Sequence, residues 1–223
     1  MTETVTLTAG DGATIPAFVA RPAGPPRGCI VVVQEIFGVN EHIRWVCTEQ
    51  YARAGFLAVA PCFFDRFEKG VGLGYNPDGV ARGRALVDQL GMDAPMRDIC
   101  AAAQQVGGGL KTGVVGYCWG GSVAFLAATR LGLPAVGFYG GRTVPFVHER
   151  PQAPVMLHFG EQDAMIPPTA IATIRAAAPQ AEVFTYPAGH GFNRFGHPDW
   201  HEASATLALQ RSIAFFERAL AQG

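Results

Sequence analysis

Gly113-Val114-Val115-Gly116-Tyr117-Cys118-Trp119-Gly120-Gly121-Ser122 is the stretch on which the reading of this 223-residue chain turns. Thr112 to Tyr117 is a β-branched and aromatic run of strand length, and Ser122 to Leu131 has the composition of a helix. Between them lies Gly-x-Cys-x-Gly, which reads as a sharp strand-to-helix turn carrying a cysteine at its apex. Small residues suit such a turn, because Gly116 and Gly120 let the strand and helix backbones approach. The turn also sets Cys118 at a helix N-terminus, where the dipole favours a thiolate. Taken alone, the motif also fits a buried structural cysteine flanked by packing glycines.

Outward from this turn the chain alternates strands and helices. Toward the N-terminus, residues 4 to 20 alternate apolar and polar around Gly10-Asp11-Gly12, the pattern of an antiparallel hairpin. Cys29-Ile30-Val31-Val32-Val33 and Phe56-Leu57-Ala58-Val59-Ala60 are continuous apolar runs, as expected of strands buried on both faces. A helix capped by Asn40 and running to about Ala54, with Gly55 as its stop, separates them. Asp65 to Gly79, glycine-rich with few apolar anchors, reads as a mobile excursion over one end of the sheet, and Asp93 to Val106 as a helix. Toward the C-terminus come strand Ala135 to Tyr139, strand Val155 to Phe159, helix Pro168 to Ala177, strand Glu182 to Tyr186 and a closing helix Asp199 to Ala221. The alternation predicts an α/β sandwich with a mostly parallel sheet, as a single domain over residues 1–223.

Composition narrows the function. Hydrophobic residues make up 49%, too many for a disordered chain, and the net charge of −1 supplies no positive field for nucleic acid or anionic lipid. The first ten residues carry no Lys or Arg and no apolar run of signal-peptide length, and no stretch reaches membrane-span length. A soluble, cytoplasmic protein is expected, as a monomer or small homo-oligomer. Five cysteines, at 29, 47, 62, 100 and 118, are odd in number and form no CxxC, so neither a disulfide framework nor a zinc site is implied. His197 and His201 are four apart, but Pro198 intervenes and no third ligand is evident, so no metal is expected. No nucleotide-binding glycine signature occurs, and no cofactor is expected.

A nucleophile needs a base, and the base an orienting acid. Asp163 follows the strand ending at Phe159, in Gly160-Glu161-Gln162-Asp163, and His190 follows the strand ending at Tyr186, in Gly189-His190-Gly191-Phe192. Each lies in a loop just past a strand end, where ligands bind in open α/β sheets. The order nucleophile, acid, histidine is that of α/β-hydrolases. Individually Asp163 also reads as a helix cap ahead of Pro167, His190 as a turn residue, and His158 as a satisfied core histidine.

Four blocks in order, Gln34-Glu35-Ile36-Phe37-Gly38-Val39-Asn40, Gly116-Tyr117-Cys118-Trp119-Gly120-Gly121, Gly160-Glu161-Gln162-Asp163 and Gly189-His190-Gly191-Phe192, resemble the dienelactone hydrolase family over almost the whole chain. The resemblance implies a Cys118, His190, Asp163 triad on an eight-stranded α/β-hydrolase-like sheet. It also implies that Glu35, by itself a capping or salt-bridging carboxylate, contacts the thiol and helps remove its proton when substrate arrives. A carboxylate beside a thiol disfavours the thiolate, which would keep Cys118 quiet until then. Backbone N–H groups of Ile36 and Trp119 are the expected oxyanion donors. The family's lactone substrate bears a carboxylate held by two arginines; Arg194 matches one, and Arg82 is favoured over Arg84 for the second, where the local sequence departs from the pattern.

The expected activity is a cysteine-dependent opening of a carboxylate-bearing enol lactone, of the dienelactone-to-maleylacetate type, through a thioester. Alternatives are a general carboxylesterase or thioesterase of the same fold, a thiol redox protein using Cys118, and a binding protein that has lost turnover.

Overall fold

Threonines at every second position of Thr2–Thr8 mark β1, which pairs with β2, Thr14–Ala20, antiparallel in register from Thr2 opposite Ala20 to Thr8 opposite Thr14. The computed structural model describes residues 1–221, in two compact units, Met1–Gly113 and the chain from Val114 onward. In the first unit the strand order is β1-β2-β4-β3, with β3 at Cys29–Val33 and β4 at Leu57–Pro61. β3 and β4 are parallel and β2 is antiparallel to β4. Every residue of β3 and β4 is buried, which is why these runs lack the alternation of the hairpin.

Asn40 caps helix α1, Glu41–Trp45, its Oδ1 accepting from Ile43 N at 3.2 Å. The helix continues to Ala52 with wider π-helical turns, where an α-helix to about Ala54 was expected. At the widening, the Thr48 hydroxyl bonds back to the carbonyls of Arg44 and Trp45, both at 3.2 Å, offering those groups an alternative to the α ladder. Helices α2, Pro77–Leu90, and α3, Asp93–Gln105, complete this unit, the latter within one residue of its expected end.

The segment from Asp65 to Gly79 differs from the mobile excursion expected. At its root Arg66 forks between the buried carboxylate of Asp98, at 2.7 and 2.8 Å, and Asp11, at 2.9 and 3.2 Å. Further on, Leu73 N donates to Phe37 O at 2.8 Å, and Gly72 forms an antiparallel bridge with Gly38. Only glycine fits at 38, because its φ is +80° and a Cβ there would lie 2.1 Å from Val71 O.

From Val114 onward β5 (Thr112–Tyr117), β6 (Ala135–Phe138), β7 (Val155–Gly160) and β8 (Glu182–Tyr186) follow in order, all parallel. Around them are α4 (Trp119–Arg130), α5 (Pro168–Ala177) and α6 (Glu202–Ala221). Helix α4 starts immediately after Cys118, three residues earlier than expected. Helix α6 starts three residues later than expected, because Asp199 is drawn to Arg194 and His201 N donates to Phe192 O. The expected α/β fold with eight mostly parallel strands and an antiparallel N-terminal hairpin is what the chain adopts.

Candidate active site

The backbone of Cys118 has φ +55° and ψ −118°, a conformation that L-residues rarely hold, at the junction of β5 and α4. Neighbouring contacts impose it. Cys118 N donates to Phe138 O at 3.0 Å, and Cys118 O accepts from Gly121 N at 2.9 Å. A Cβ on Gly116 would lie 1.8 Å from Gly120 O, and one on Gly121 would lie 2.5 Å from Phe138 O. The glycines therefore let strand, turn and helix close on one another, and the thiol stands at the N-terminus of α4.

Asp163 and His190 meet because their loops are laced together. Glu161 N donates to Tyr186 O at 2.8 Å, Gln162 N donates to Ala188 O at 3.0 Å, and a Cβ on Gly160 would lie 2.3 Å from Ala188 O. On this frame His190 Nδ1 donates to Asp163 Oδ2 at 2.7 Å, while Asp163 Oδ1 accepts from Met165 N at 2.8 Å. Both carboxylate oxygens are thus held. The His190 ring is buried but for a 13% exposed edge. Its Nε2 is buried and has no aligned hydrogen-bond partner among the described residues. Burial alone would lower the imidazole pKa, but the bond to Asp163 and the nearby Cys118 sulfur outweigh it and hold the pKa up at about 9. The Asp163 carboxylate and the Cys118 sulfur thus both lie close enough to act on the His190 ring.

Three other cysteines, Cys29, Cys47 and Cys62, are desolvated. Burial pushes the Cys29 thiol up to about 12 and Cys62 to about 11, and Cys47, fully buried, higher still. Such thiols stay protonated and inert.

A residue that the sequence did not single out is Tyr139. It follows β6 with φ +41°, and its ring lies 4.8 Å from that of His190 and 5.5 Å from that of Phe192. A strained non-glycine residue one step beyond a parallel strand is the signal that could have found it.

Arg194 is buried, its Nη1 donating to Asp199 Oδ2 at 2.7 Å. Gly191 has φ +76°, and a Cβ there would lie 2.6 Å from Arg194 Cζ, so this turn admits only glycine and the guanidinium packs beneath it. Trp119, the first residue of α4, is 2% exposed. Glu35, Ile36 and Arg82 belong to the first unit. Glu35 is wholly buried and its Oε2 accepts from the Tyr75 hydroxyl at 2.8 Å. Ile36 is 8% exposed, and a Cβ on Gly83 would lie 2.1 Å from its carbonyl oxygen, so α2 rests directly on this loop. Arg82, on α2, pairs with Glu68 and its side chain is 53% exposed.

Residues 15–220 match the dienelactone hydrolase family. The chain belongs to the dienelactone hydrolase family. It is accordingly a hydrolase acting on esters. A carboxymethylenebutenolidase of Pseudomonas putida is 34% identical, the match covering 96% of each chain. A Yersinia pestis protein assigned as a carboxymethylenebutenolidase is 34% identical over 92% of this chain and 84% of its own. Among solved structures, one assigned as a dienelactone hydrolase from Klebsiella pneumoniae subsp. pneumoniae MGH 78578 superposes with a TM-score of 0.84 at 30% identity, covering 97% of this chain and 98% of that one. No helix among the described residues is long and apolar enough to cross a membrane.

Proposed function

We propose that this family member is a cysteine-dependent hydrolase that opens a carboxylate-bearing enol lactone, of the dienelactone-to-maleylacetate type, through a thioester acyl-enzyme. The observation that carries this reading is the strained turn at Cys118 together with a histidine whose pKa rises under the joint influence of Asp163 and Cys118. In the proposed course the Cys118 thiolate attacks the lactone carbonyl, and the backbone N–H groups of Trp119 and Ile36 receive the oxyanion. Collapse expels the ring oxygen as an enolate, which stays attached to the acyl product. A stabilised enolate leaves without strong acid catalysis, so the nucleophilicity of sulfur decides the rate. His190, with its Nδ1–H held by Asp163, gives its other ring proton to that enolate and, now neutral, takes a proton from the water that attacks the thioester and releases the Cys118 thiolate.

Glu35 is the proposed partner of the Cys118 thiol, restraining it at rest and accepting its proton when substrate arrives. Its complete burial supports this, since a buried carboxylate without a task is costly.

Specificity is the point at which a second reading has support. Arg194 and Arg82, the proposed contacts for a substrate carboxylate, pair with Asp199 and Glu68. A neutral-ester carboxylesterase or thioesterase would leave those pairs intact, whereas an anionic lactone would compete with them.

Assays with cis- and trans-dienelactone, neutral lactones and aryl esters test both. Cys118→Ala is expected to lose at least about 10³-fold in kcat/KM on every substrate that wild type turns over. Retention of wild-type activity by the folded variant would end the cysteine mechanism. Arg194→Gln is expected to raise KM about tenfold for dienelactone with little change on aryl esters; an equal effect on both would favour the neutral-ester reading.

A further inference from the structure

Asn40, Tyr75 and Glu35 form a chain of hydrogen bonds whose direction is determined by a helix cap. Asn40 Oδ1 accepts from Ile43 N at the start of α1, which fixes the orientation of the amide. Its Nδ2 then faces the Tyr75 hydroxyl, 3.2 Å away, and can only donate to it. The phenol therefore spends a lone pair on Asn40 and directs its single hydrogen at Glu35 Oε2, 2.8 Å away.

Tyr75 cannot drift from this position. Its ring meets that of Phe37 edge-on with centroids 4.5 Å apart, and the strap that carries it is bridged to the same loop at Leu73 and Gly72. Just beyond, Asn76 Oδ1 accepts from Gly79 N at 2.8 Å to cap α2, and a Cβ on Gly79 would lie 2.0 Å from Gly74 O. The strap thus enters and leaves Tyr75 along fixed paths, and what it delivers is one hydroxyl onto one buried carboxylate oxygen.

We propose that Tyr75, oriented by Asn40, is a positioning residue that pins Glu35 in its resting place. This rests on the role proposed above for Glu35. With the pin removed, the carboxylate is freed to swing and the resting Cys118 thiol loses its restraint.

The test is the rate at which iodoacetamide alkylates Cys118, read by mass spectrometry of the peptide containing it, in wild type, Tyr75→Phe, Glu35→Gln and the double variant. Tyr75→Phe keeps the ring and its contact with Phe37. It is expected to raise the rate about tenfold, the scale of losing one hydrogen bond to a carboxylate, and to add nothing in the Glu35→Gln background. Asn40→Ser, which keeps a capping oxygen and removes the amide donor, is expected to raise the rate about threefold and decides the matter if Tyr75→Phe fails to fold. A wild-type rate in Glu35→Gln overturns the role of Glu35 itself. A raised rate in Glu35→Gln with wild-type rates in Tyr75→Phe and Asn40→Ser overturns the pin alone, as does an equal increase from Tyr75→Phe in both backgrounds.

Discussion

Two buried histidines of the second unit, one inside β7 and one in the loop after β8, have opposite titration behaviour. His158 lies wholly buried between Tyr186 and Ser212, with its Nδ1 2.8 Å from Tyr186 Oη and its Nε2 3.1 Å from Ser212 Oγ. Ser212 Oγ spends its hydrogen on Ala208 O at 2.7 Å, so it can only accept from the ring; Nε2 carries the proton, and Nδ1 accepts from Tyr186. Burial, aided by the charge of Arg211, lowers the pKa of His158 to about 3 and keeps it neutral. His190 is almost as buried, yet its pKa stands near 9, because its neighbours are the Asp163 carboxylate and the Cys118 sulfur in place of two hydroxyls. Burial sets how strongly a neighbour is felt, and the neighbour's charge sets the direction.

Substitution gives the largest contrast. His190→Ala is expected to cost about 10³-fold or more in kcat/KM if the proposed mechanism holds, whereas His158→Ala should leave the rate per folded molecule within about threefold and instead lower stability by about 2–4 kcal/mol, since it opens a cavity and strands two buried hydroxyls. Steady-state kinetics and urea denaturation of both variants measure this, and a large kinetic loss in His158→Ala would break the comparison.

Stability against pH separates the two next. His190 has a folded pKa raised from 6.5 to about 9, so its contribution is fully present below pH 6.5 and is lost as pH rises through about 9. At about 1.4 kcal/mol per unit this reaches a few kcal/mol. His158 has a folded pKa depressed from 6.5 to about 3, so its contribution is present above pH 6.5 and is lost as pH falls toward about 3. Urea midpoints recorded from pH 4 to 10 should lose their alkaline decline in His190→Gln and part of their acid decline in His158→Gln.

Two smaller effects sharpen the contrast. Cys118→Ala removes the sulfur that helps hold His190 protonated, so the His190 titration followed by NMR should move down from about 9, by about one unit. Arg211→Met should raise the pKa of His158 by less than about one unit, because burial rather than Arg211 dominates there.

Residues whose role depends on order along the chain were legible in the sequence. The apolar runs of β3 to β7, the hairpin and the Asn40 cap follow from local pattern, and each was found where the pattern put it; the succession Cys118, Asp163, His190 was read in the same way, and folding brings Asp163 and His190 to 2.7 Å. What escaped depends on partners brought in by folding. The early start of α4 was hidden by Gly120 and Gly121, poor helix formers, the latter close against the Phe138 carbonyl. The segment Asp65 to Gly79 looked unanchored because its fastenings, Arg66 to Asp98 and Tyr75 to Glu35, reach 32 and 40 residues along the chain. Arg194 read as a contact for substrate, and the aspartate it pairs with stands five residues later in a turn whose path the sequence does not disclose.

At the turn carrying Cys118, the shape is held by atoms that take no part in bond making. Gly116, Gly121 and the carbonyl of Phe138 impose the backbone angle, and the cysteine contributes only what protrudes from it. Holder and tool are therefore separable in heredity: one codon change at position 118 could exchange sulfur for oxygen without disturbing the mount, while a change to alanine at 116 or 121 would wreck the mount whatever it carries. Randomising positions 116 to 121 and selecting for folded protein should return glycine at both of those positions and a range of small side chains at 118, so new chemistry has a shorter mutational path here than a new backbone does.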